Sequence, residues 1–471
     1  MKSDNRYLGM HLLITLLLLL ILGGPAWLPG QDEDESNVYI KEHYTKREVR
    51  IPVRDGVALF TAIYTPKDTT RRYPILMYRT PYSVSPYGED RYPHSLGPSR
   101  LFAEEGYIFV YQDVRGRFMS EGEFVNMTPH VANKETSQDI DESTDTYDTI
   151  EWLLQNIPDH NGKVGQWGIS YPGFYSAAGM IDAHPALVAV SPQAPVADWW
   201  FDDFHHHGAF FLPHTFNFFS TFGLPRDSLT TEWTSRFKHG TPDGYQWFLD
   251  VGPLGNLEEH YLKGRVPFWT ETTGHPNYEE FWQAMNIVPH LQNVAPAVMT
   301  VGGWFDAEDL YGPLHIYRSI EEQNPDIYNI LVMGPWQHGG WGRSDGDCLG
   351  NVTFGEKTSI FYRENIELPF FNHYLKGKGE PDLPEAYMFE TGANRWRTFD
   401  RWPPVNVEVR HLYFHADGRI SFDPPPSRKR AYDEYISDPE HPVPFTQDIA
   451  IGMTREYMTD DQRFAARRPD V

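Results

Sequence analysis

Residues 163–179 carry an apolar run, a serine set between glycines, and then a block of small residues, Ser176-Ala177-Ala178-Gly179. A chain that leaves a strand and reverses at once into a helix has little room at the corner. Glycines at Gly168 and Gly173 are what such a bend requires, because side chains there would collide with the turning backbone. The corner lifts Ser170 out of the sheet and leaves the Tyr171 amide near a helix N-terminus, where unpaired N–H groups and the helix dipole favour an anion. Pro172 stands where a strict Gly-x-Ser-x-Gly would have its second glycine, a position that a first helical turn accepts. The same corner also suits a purely structural strand-turn-helix, so the rest of the chain has to decide.

The surrounding rhythm agrees with an open α/β sheet. Alternating residues on either side of Asp55-Gly56 (Val49, Ile51 and Val53, then Leu59, Ala62 and Ile63) predict a hairpin. Buried strands are expected at 74–78, 107–112, 164–167, 187–190, 297–301 and 329–333, with helical spacing between them at Tyr147, Ile150, Leu153 and Leu154. Strands alternating with helices imply a mostly parallel sheet covered on both faces, with chemistry at the strand C-termini. From 199 to 290 the strands stop and Trp, Phe, His and Pro crowd together, which predicts a helical insertion. From 383 to 471 short β segments and Pro-rich joints predict a separate all-β domain. The expected division is therefore 1–30 leader, 31–198 and 291–382 the two parts of the α/β domain, 199–290 a cap, and 383–471 the β domain.

Charge and cysteine usage narrow the partners. Of 471 residues, 40 are Lys or Arg and 65 are Asp or Glu, a net charge of −25, which argues against nucleic acid or an anionic membrane surface. One cysteine, Cys348, excludes an intrachain disulfide and a thiolate metal cluster. Lys2 and Arg6 ahead of the apolar run 12–22, then Gly23-Gly24-Pro25-Ala26, predict a secretory signal and hence export, with no stable membrane insertion once it is removed. Asp32-Glu33-Asp34-Glu35 follows as a solvated linker. Sequons at Asn126 and Asn351 matter only in a glycosylating pathway.

A serine nucleophile needs a base for its proton and an acid to orient that base, and in this kind of sheet they follow in the order Ser, Asp or Glu, His. Asp306 stands just beyond the strand at 297–301 in a Gly-containing loop, and His338 just beyond the strand at 329–333. Order and location both fit. The tract His205-His206-His207 has no second ligand cluster at metal-site spacing, so it reads as cap structure.

At these residues the chain resembles the cocaine-esterase-like and X-prolyl-dipeptidyl-peptidase hydrolases, and most closely their α-amino-acid ester hydrolase branch. The matching pieces, in family order, are Arg79-Thr80-Pro81-Tyr82, Asp113-Val114-Arg115-Gly116-Arg117, Gly168 to Gly173, Gly303 to Asp309, and Gly334-Pro335-Trp336-Gln337-His338. The resemblance implies an α/β-hydrolase fold with a helical cap and a C-terminal jelly roll, the latter apparently truncated here because the family's β domain is far longer. It implies Ser170 as nucleophile, His338 as base, Asp306 as its partner, and an oxyanion hole made by the Tyr82 hydroxyl and the Tyr171 amide. It further implies a carboxylate cluster for a substrate ammonium from Glu308, Asp309 and one of Asp202 and Asp203. The expected activity is acyl transfer through an acyl-enzyme on small esters or amides whose acyl part bears an α-amino group, extending to β-lactam nuclei, with no cofactor and no metal. Relatives form homo-oligomers. The alternatives are a plain carboxylesterase or acylase, a dipeptidyl peptidase, or an inactive scaffold used for binding.

Overall fold

In the computed structural model the described residues are 32–380, 383–416, 418–426, 432 and 434–469. The leader expected at 1–30 lies outside them, and no helix among them is long and apolar enough to cross a membrane. The hairpin forms as expected, with β1 (Tyr44–Pro52) antiparallel to β2 (Ala58–Pro66) from Tyr44↔Pro66 to Pro52↔Ala58. Gly56 turns it at φ 91°, a conformation that favours glycine.

Six strands then build the centre: β3 (Tyr73–Thr80), β4 (Ile108–Asp113), β5 (His160–Ser170), β6 (Leu187–Pro195), β7 (Ala297–Gly303) and β8 (Asn329–Gly334). With β9 (Ala386–Glu390) and β10 (Arg395–Phe399) they form one ten-stranded sheet in the order β1-β2-β4-β3-β5-β6-β7-β8-β9-β10. From β4 across to β9 neighbouring strands run parallel. Every residue of β7 and β8 is buried, as a sheet covered on both faces demands. The period of two sorts side chains between the faces. Ile75 and Met77 of β3 with Ile108 and Val110 of β4 enter one core cluster, while Leu76 and Phe109 enter the other.

The first cluster lies under α1 (Glu142–Asn156), α2 (Tyr171–Gly179) and α4 (Tyr311–Gln323), through Ile150, Leu153, Phe174, Ile316 and Ile320. The second lies under α5 (Leu368–Lys376), through Phe370, Phe371 and Leu375. The insertion is mainly helical, with α3 (Leu212–Phe222) and shorter helices at Gly244–Val251 and Pro267–Gly274. Its Phe216, Phe219, Trp269 and Trp282 belong to the same apolar cluster as Tyr171 and Phe174 of α2.

The strands assigned by sequence to a separate jelly roll take another place. β9 pairs parallel with β8 (Leu331↔Ala386 to Met333↔Met388), and β10 closes the edge antiparallel to it. Ala386 and Met388 are buried with Leu331, Met333 and Tyr317, which gives β9 a reason to join this edge. An apolar alternation reads the same whichever sheet receives it. Beyond 400 the strands among the described residues are the two-residue Tyr413–Phe414 and Ile420–Ser421, beside short helical turns at Tyr457–Thr459 and Arg463–Ala466, so these residues form no jelly roll.

Candidate active site

At the end of β5, Ser170 has φ 71° and ψ −130°, and Tyr171 opens α2 directly. A non-glycine residue in that region costs of order 1–3 kcal/mol, which the surrounding packing has to offset. Both flanking glycines are obligatory. A Cβ on Gly168 would stand 2.3 Å from the Pro172 carbonyl oxygen, and one on Gly173 would stand 2.7 Å from that of Gln193. The Tyr171 phenol is buried and accepts a hydrogen bond from the Met127 amide at 2.7 Å, stacked on Tyr175 and edge-on to Trp199. Its side chain is thus an anchor, and only its amide, at the start of α2, faces the corner that Ser170 occupies.

β7 and β8 pair in register to Gly303↔Gly334, so their loops leave the same end of the sheet side by side. The loops also bond to each other, the Phe305 amide donating to the Trp336 carbonyl at 3.0 Å. They bring His338 Nδ1 to 2.9 Å from Asp306 Oδ2. An ionised carboxylate only accepts, so Nδ1 carries the proton and Nε2 is left as the basic nitrogen. Asp306 Oδ1 accepts from the Glu308 and Asp309 amides at 2.9 and 3.0 Å. Burial pushes the Asp306 carboxyl up, yet His338 and these hydrogen bonds together hold it below its ordinary value. Burial lowers His338 in turn, and Asp306 and Glu308 outweigh that and raise it to about 9. Nε2 lies 3.4 Å from Glu308 Oε2, and among the described residues no hydrogen bond joins Ser170 to His338.

Tyr82 follows β3 on a loop held from both sides by the segment after β4. Asp113 accepts from the Val84 amide at 3.0 Å and from the Tyr87 hydroxyl at 2.9 Å. Arg117 donates from Nε to the Pro81 carbonyl at 3.1 Å and from Nη1 to the Phe222 carbonyl of the cap at 3.2 Å, its guanidinium 4.3 Å from the Phe222 ring centroid. Arg115 ties the same segment to Asp55 and Asp145, each at 2.7 Å. The Tyr82 ring packs edge-on against Tyr171 and Phe222. Burial, with the negative charges of Asp203, Asp309 and Glu308 nearby, keeps its hydroxyl protonated far beyond its ordinary range.

The aspartate pair separates cleanly. Asp202 is fully buried and its two oxygens accept from the backbone amides of Ala197, Asp198 and Gly312, so it braces the cap against α4. Asp203 turns the other way, accepting from Trp199 Nε1 at 2.7 Å and pairing with His214 Nε2 at 3.0 Å. Ligand atoms of Asp203, His214 and Glu308 lie within 4.8 Å of one another, a spacing that a divalent cation could bridge as well as an organic ammonium. Asp309 is fully buried, and neither carboxylate oxygen accepts a hydrogen bond from any described residue. Burial first, then Asp203, Asp202, Asp306 and Glu308, push its pKa well up. The expected tract is cap structure, with His205 stacked on Trp200 at 3.6 Å and His206 on the Asp202 carbonyl.

Sequence reasoning missed His214, Trp199 and the clamping role of Asp113 and Arg117. His214 is one of 20 histidines and sits eleven positions from its carboxylate, with no local motif to single it out. Asp113 and Arg117 were within reach, because their segment was already among the matched motifs.

The family model for X-Pro dipeptidyl-peptidase (S15 family) matches residues 55–340. Two solved structures superpose at a TM-score of 0.82 over 95% of this chain. One is an aminopeptidase from the marine sediment archaeon Thaumarchaeota archaeon, 35% identical, with 73% of its chain covered. The other is an α-amino acid ester hydrolase, 33% identical, with 74% covered. The cocaine esterase of Rhodococcus sp. (strain MB1 Bresler) is 27% identical over 446 residues, which span 89% of this chain and 71% of that protein.

Proposed function

The chain belongs to the X-Pro dipeptidyl-peptidase (S15) family of serine hydrolases, and within it we propose an acyl transferase that selects acyl groups carrying a free α-ammonium. One observation carries the reading. A buried carboxylate that accepts no hydrogen bond, as that of Asp309 does not among the described residues, is costly to keep, and a cationic ligand is what would satisfy it. Asp203 and Glu308 act on it by their charge, and Glu308 and Asp309 reach the His338 ring at 3.4 and 3.8 Å. Two solved relatives that cover nearly the whole chain are an aminopeptidase and an α-amino acid ester hydrolase, in keeping with an amine-bearing substrate.

In this reading Ser170 Oγ attacks the carbonyl carbon while His338 Nε2 takes its proton. Asp306 holds the imidazole and stabilises its charge, and the Tyr82 hydroxyl and Tyr171 amide donate to the oxyanion. His338 then protonates the leaving group, and water or an amine releases the acyl group from Ser170. The 3.4 Å contact between Nε2 and Glu308 links recognition to chemistry. An ammonium that pairs with Glu308 draws it from the imidazole and frees Nε2 to face Ser170.

The deciding comparison is phenylglycine methyl ester against phenylacetate methyl ester, which lacks the amine. Losing the partner of a buried charge costs about 3–5 kcal/mol, so kcat/KM should fall at least 100-fold. Equal rates would remove the carboxylates from substrate recognition.

A second expectation concerns pH. Turnover needs neutral His338, and Asp306 and Glu308 hold its proton on up to about 9, so the acid limb of kcat/KM, which reports free enzyme, should lie well above the ordinary histidine range. A bound ammonium offsets Glu308 and so lowers that pKa. The acid limb of kcat should therefore lie at lower pH than that of kcat/KM, and Glu308→Gln should shift the kcat/KM limb downward. Rate profiles from pH 5 to 10 check both, and coincident limbs would uncouple Glu308 from the base.

A further inference from the structure

His214 has no part in the chemistry proposed above, yet it stands where three segments far apart in the chain meet. Asp203 comes from the widened turn Trp200–Phe204, His214 from the first turn of α3, and Glu308 from the loop after β7. His214 Nε2 lies 3.0 Å from Asp203 Oδ1. One ligand atom from each of the three side chains falls within 4.8 Å of the other two. The positions 203, 214 and 308 follow no metal-site spacing, so no motif marks them as a group.

One imidazole and two carboxylates are the donor set of a transition-metal site that keeps a coordination position open. Two ligands about 2.0–2.1 Å from a tetrahedral zinc ion stand about 3.3 Å apart, so the 3.0 Å between His214 and Asp203 is already close to a chelating pair. Glu308, the longest of the three side chains, can close the remaining distance by rotating. The supports are in place. Trp199 Nε1 donates to Asp203 Oδ2 at 2.7 Å and leaves Oδ1 toward His214, while Asp306 Oδ1 holds the Glu308 amide at 2.9 Å. All three side chains are partly open to solvent, so an ion can enter. A second observation also calls for a cation. Asp309, next in the chain to Glu308, is fully buried, and neither of its oxygens accepts a hydrogen bond from any described residue. It borders the same imidazole as Glu308, at 3.8 Å from His338 Nδ1 against 3.4 Å from Nε2.

We propose that Asp203, His214 and Glu308 form a site for a zinc-like divalent cation, and that the bound ion excludes a substrate ammonium from the same carboxylates and so inhibits the enzyme reversibly. The metal site stands on its three ligands; the inhibition rests on the reading of Asp203 and Glu308 as partners of the ammonium. Both cations compete for the same oxygens. An ammonium donates hydrogen bonds to them, whereas the metal takes them as ligands, adds the lone pair of His214 and brings twice the charge. Magnesium and calcium prefer an all-oxygen shell, so the imidazole selects zinc and its neighbours in the transition series.

The test uses the full chain freed of metal by a chelator. Zinc added in a calorimeter should fill one tight site, and cobalt in its place should give visible absorption without the thiolate band that binding at the exposed Cys348 would produce. Losing even an outer partner of a ligand costs 10–100-fold in metal affinity, so His214→Gln and Asp203→Asn should each weaken the site at least about tenfold. Weak binding to surface histidines should persist in all three proteins. In rate measurements zinc should raise KM for phenylglycine methyl ester and leave kcat unchanged, and magnesium at the same concentration should do neither. His214→Gln, compared with its own metal-free rate, should need at least about tenfold more zinc for the same rise. No tight site in the wild type, or one that survives in both variants, means adventitious binding only and overturns the metal site. A tight site that leaves KM unchanged overturns the inhibition, as does a fall in KM, which would make the substrate amine a ligand of the ion. Failure of the ammonium reading shows separately, in the methyl ester pair measured without metal.

Discussion

Replacing Ser170 with alanine should lower kcat by roughly 10⁶-fold, the loss expected when a nucleophile of this type is removed and only transition-state binding remains. The protein should stay folded. Ser170 Oγ makes no hydrogen bond with any described residue, and alanine keeps the Cβ that the corner at φ 71° already accommodates. KM should change little, because the carboxylates and the cap are untouched. The check is steady-state kinetics on an amino ester together with intact mass after fluorophosphonate treatment, where wild type gains one adduct and the variant none. An adduct on the variant, or kcat within tenfold of wild type, would move the nucleophile elsewhere.

Asp306→Asn should cost about 10⁴-fold in kcat, and the geometry explains why an isosteric change does so much. Asp306 serves two sets of partners. Oδ1 accepts from the amides of Glu308 and Asp309, and Oδ2 accepts from His338 Nδ1. An asparagine keeps its oxygen on the two amides, because its nitrogen cannot accept from them. It thereby presents an N–H to the imidazole, which forces the proton from Nδ1 to Nε2 and removes the base. One bypass exists, since Asp309 Oδ2 lies 3.8 Å from Nδ1. If Asp306→Asn keeps more than about a hundredth of wild-type turnover, well above the 10⁴-fold loss expected for a wrong tautomer, then Asp309 has taken over the orienting role. The double variant Asp306→Asn, Asp309→Asn would then reveal that takeover.

The parts of the site that could be read from sequence are those where one local constraint leaves a single solution. The elbow is such a case, because two glycines and a proline around Ser170 suit few other geometries, and the six central strands follow from apolar runs that only a doubly covered sheet can bury. Asp306 and His338 were legible because their distance along the chain matters less than their place at strand ends. Asp202 and Asp203 were not separable, since adjacent residues in the widened helical turn Trp200–Phe204 point in directions set by the amides of Ala197, Asp198 and Gly312. His214 depends on α3 crossing back over Asp203, a contact that no local pattern encodes. β9 and β10 were legible as strands but not as neighbours of β8, because partner choice at a sheet edge turns on what lies beneath, here Tyr317 and Met333.

The cap shares its apolar interior with the sheet. Phe204, Phe219 and Trp282 sit in one continuous cluster with Tyr171, Phe174 and Trp199. Modularity is the casualty. A lid with its own interior can be exchanged between relatives like a fitting, but here an exchange would have to carry the aromatic residues of α2 and of the 196–200 stretch along with it. Melting should likewise loosen the cap and the Ser170 corner in the same event. Variation among chains of this build would then arise by small substitutions within one shared interior, and wholesale replacement of the roof would be a rare route.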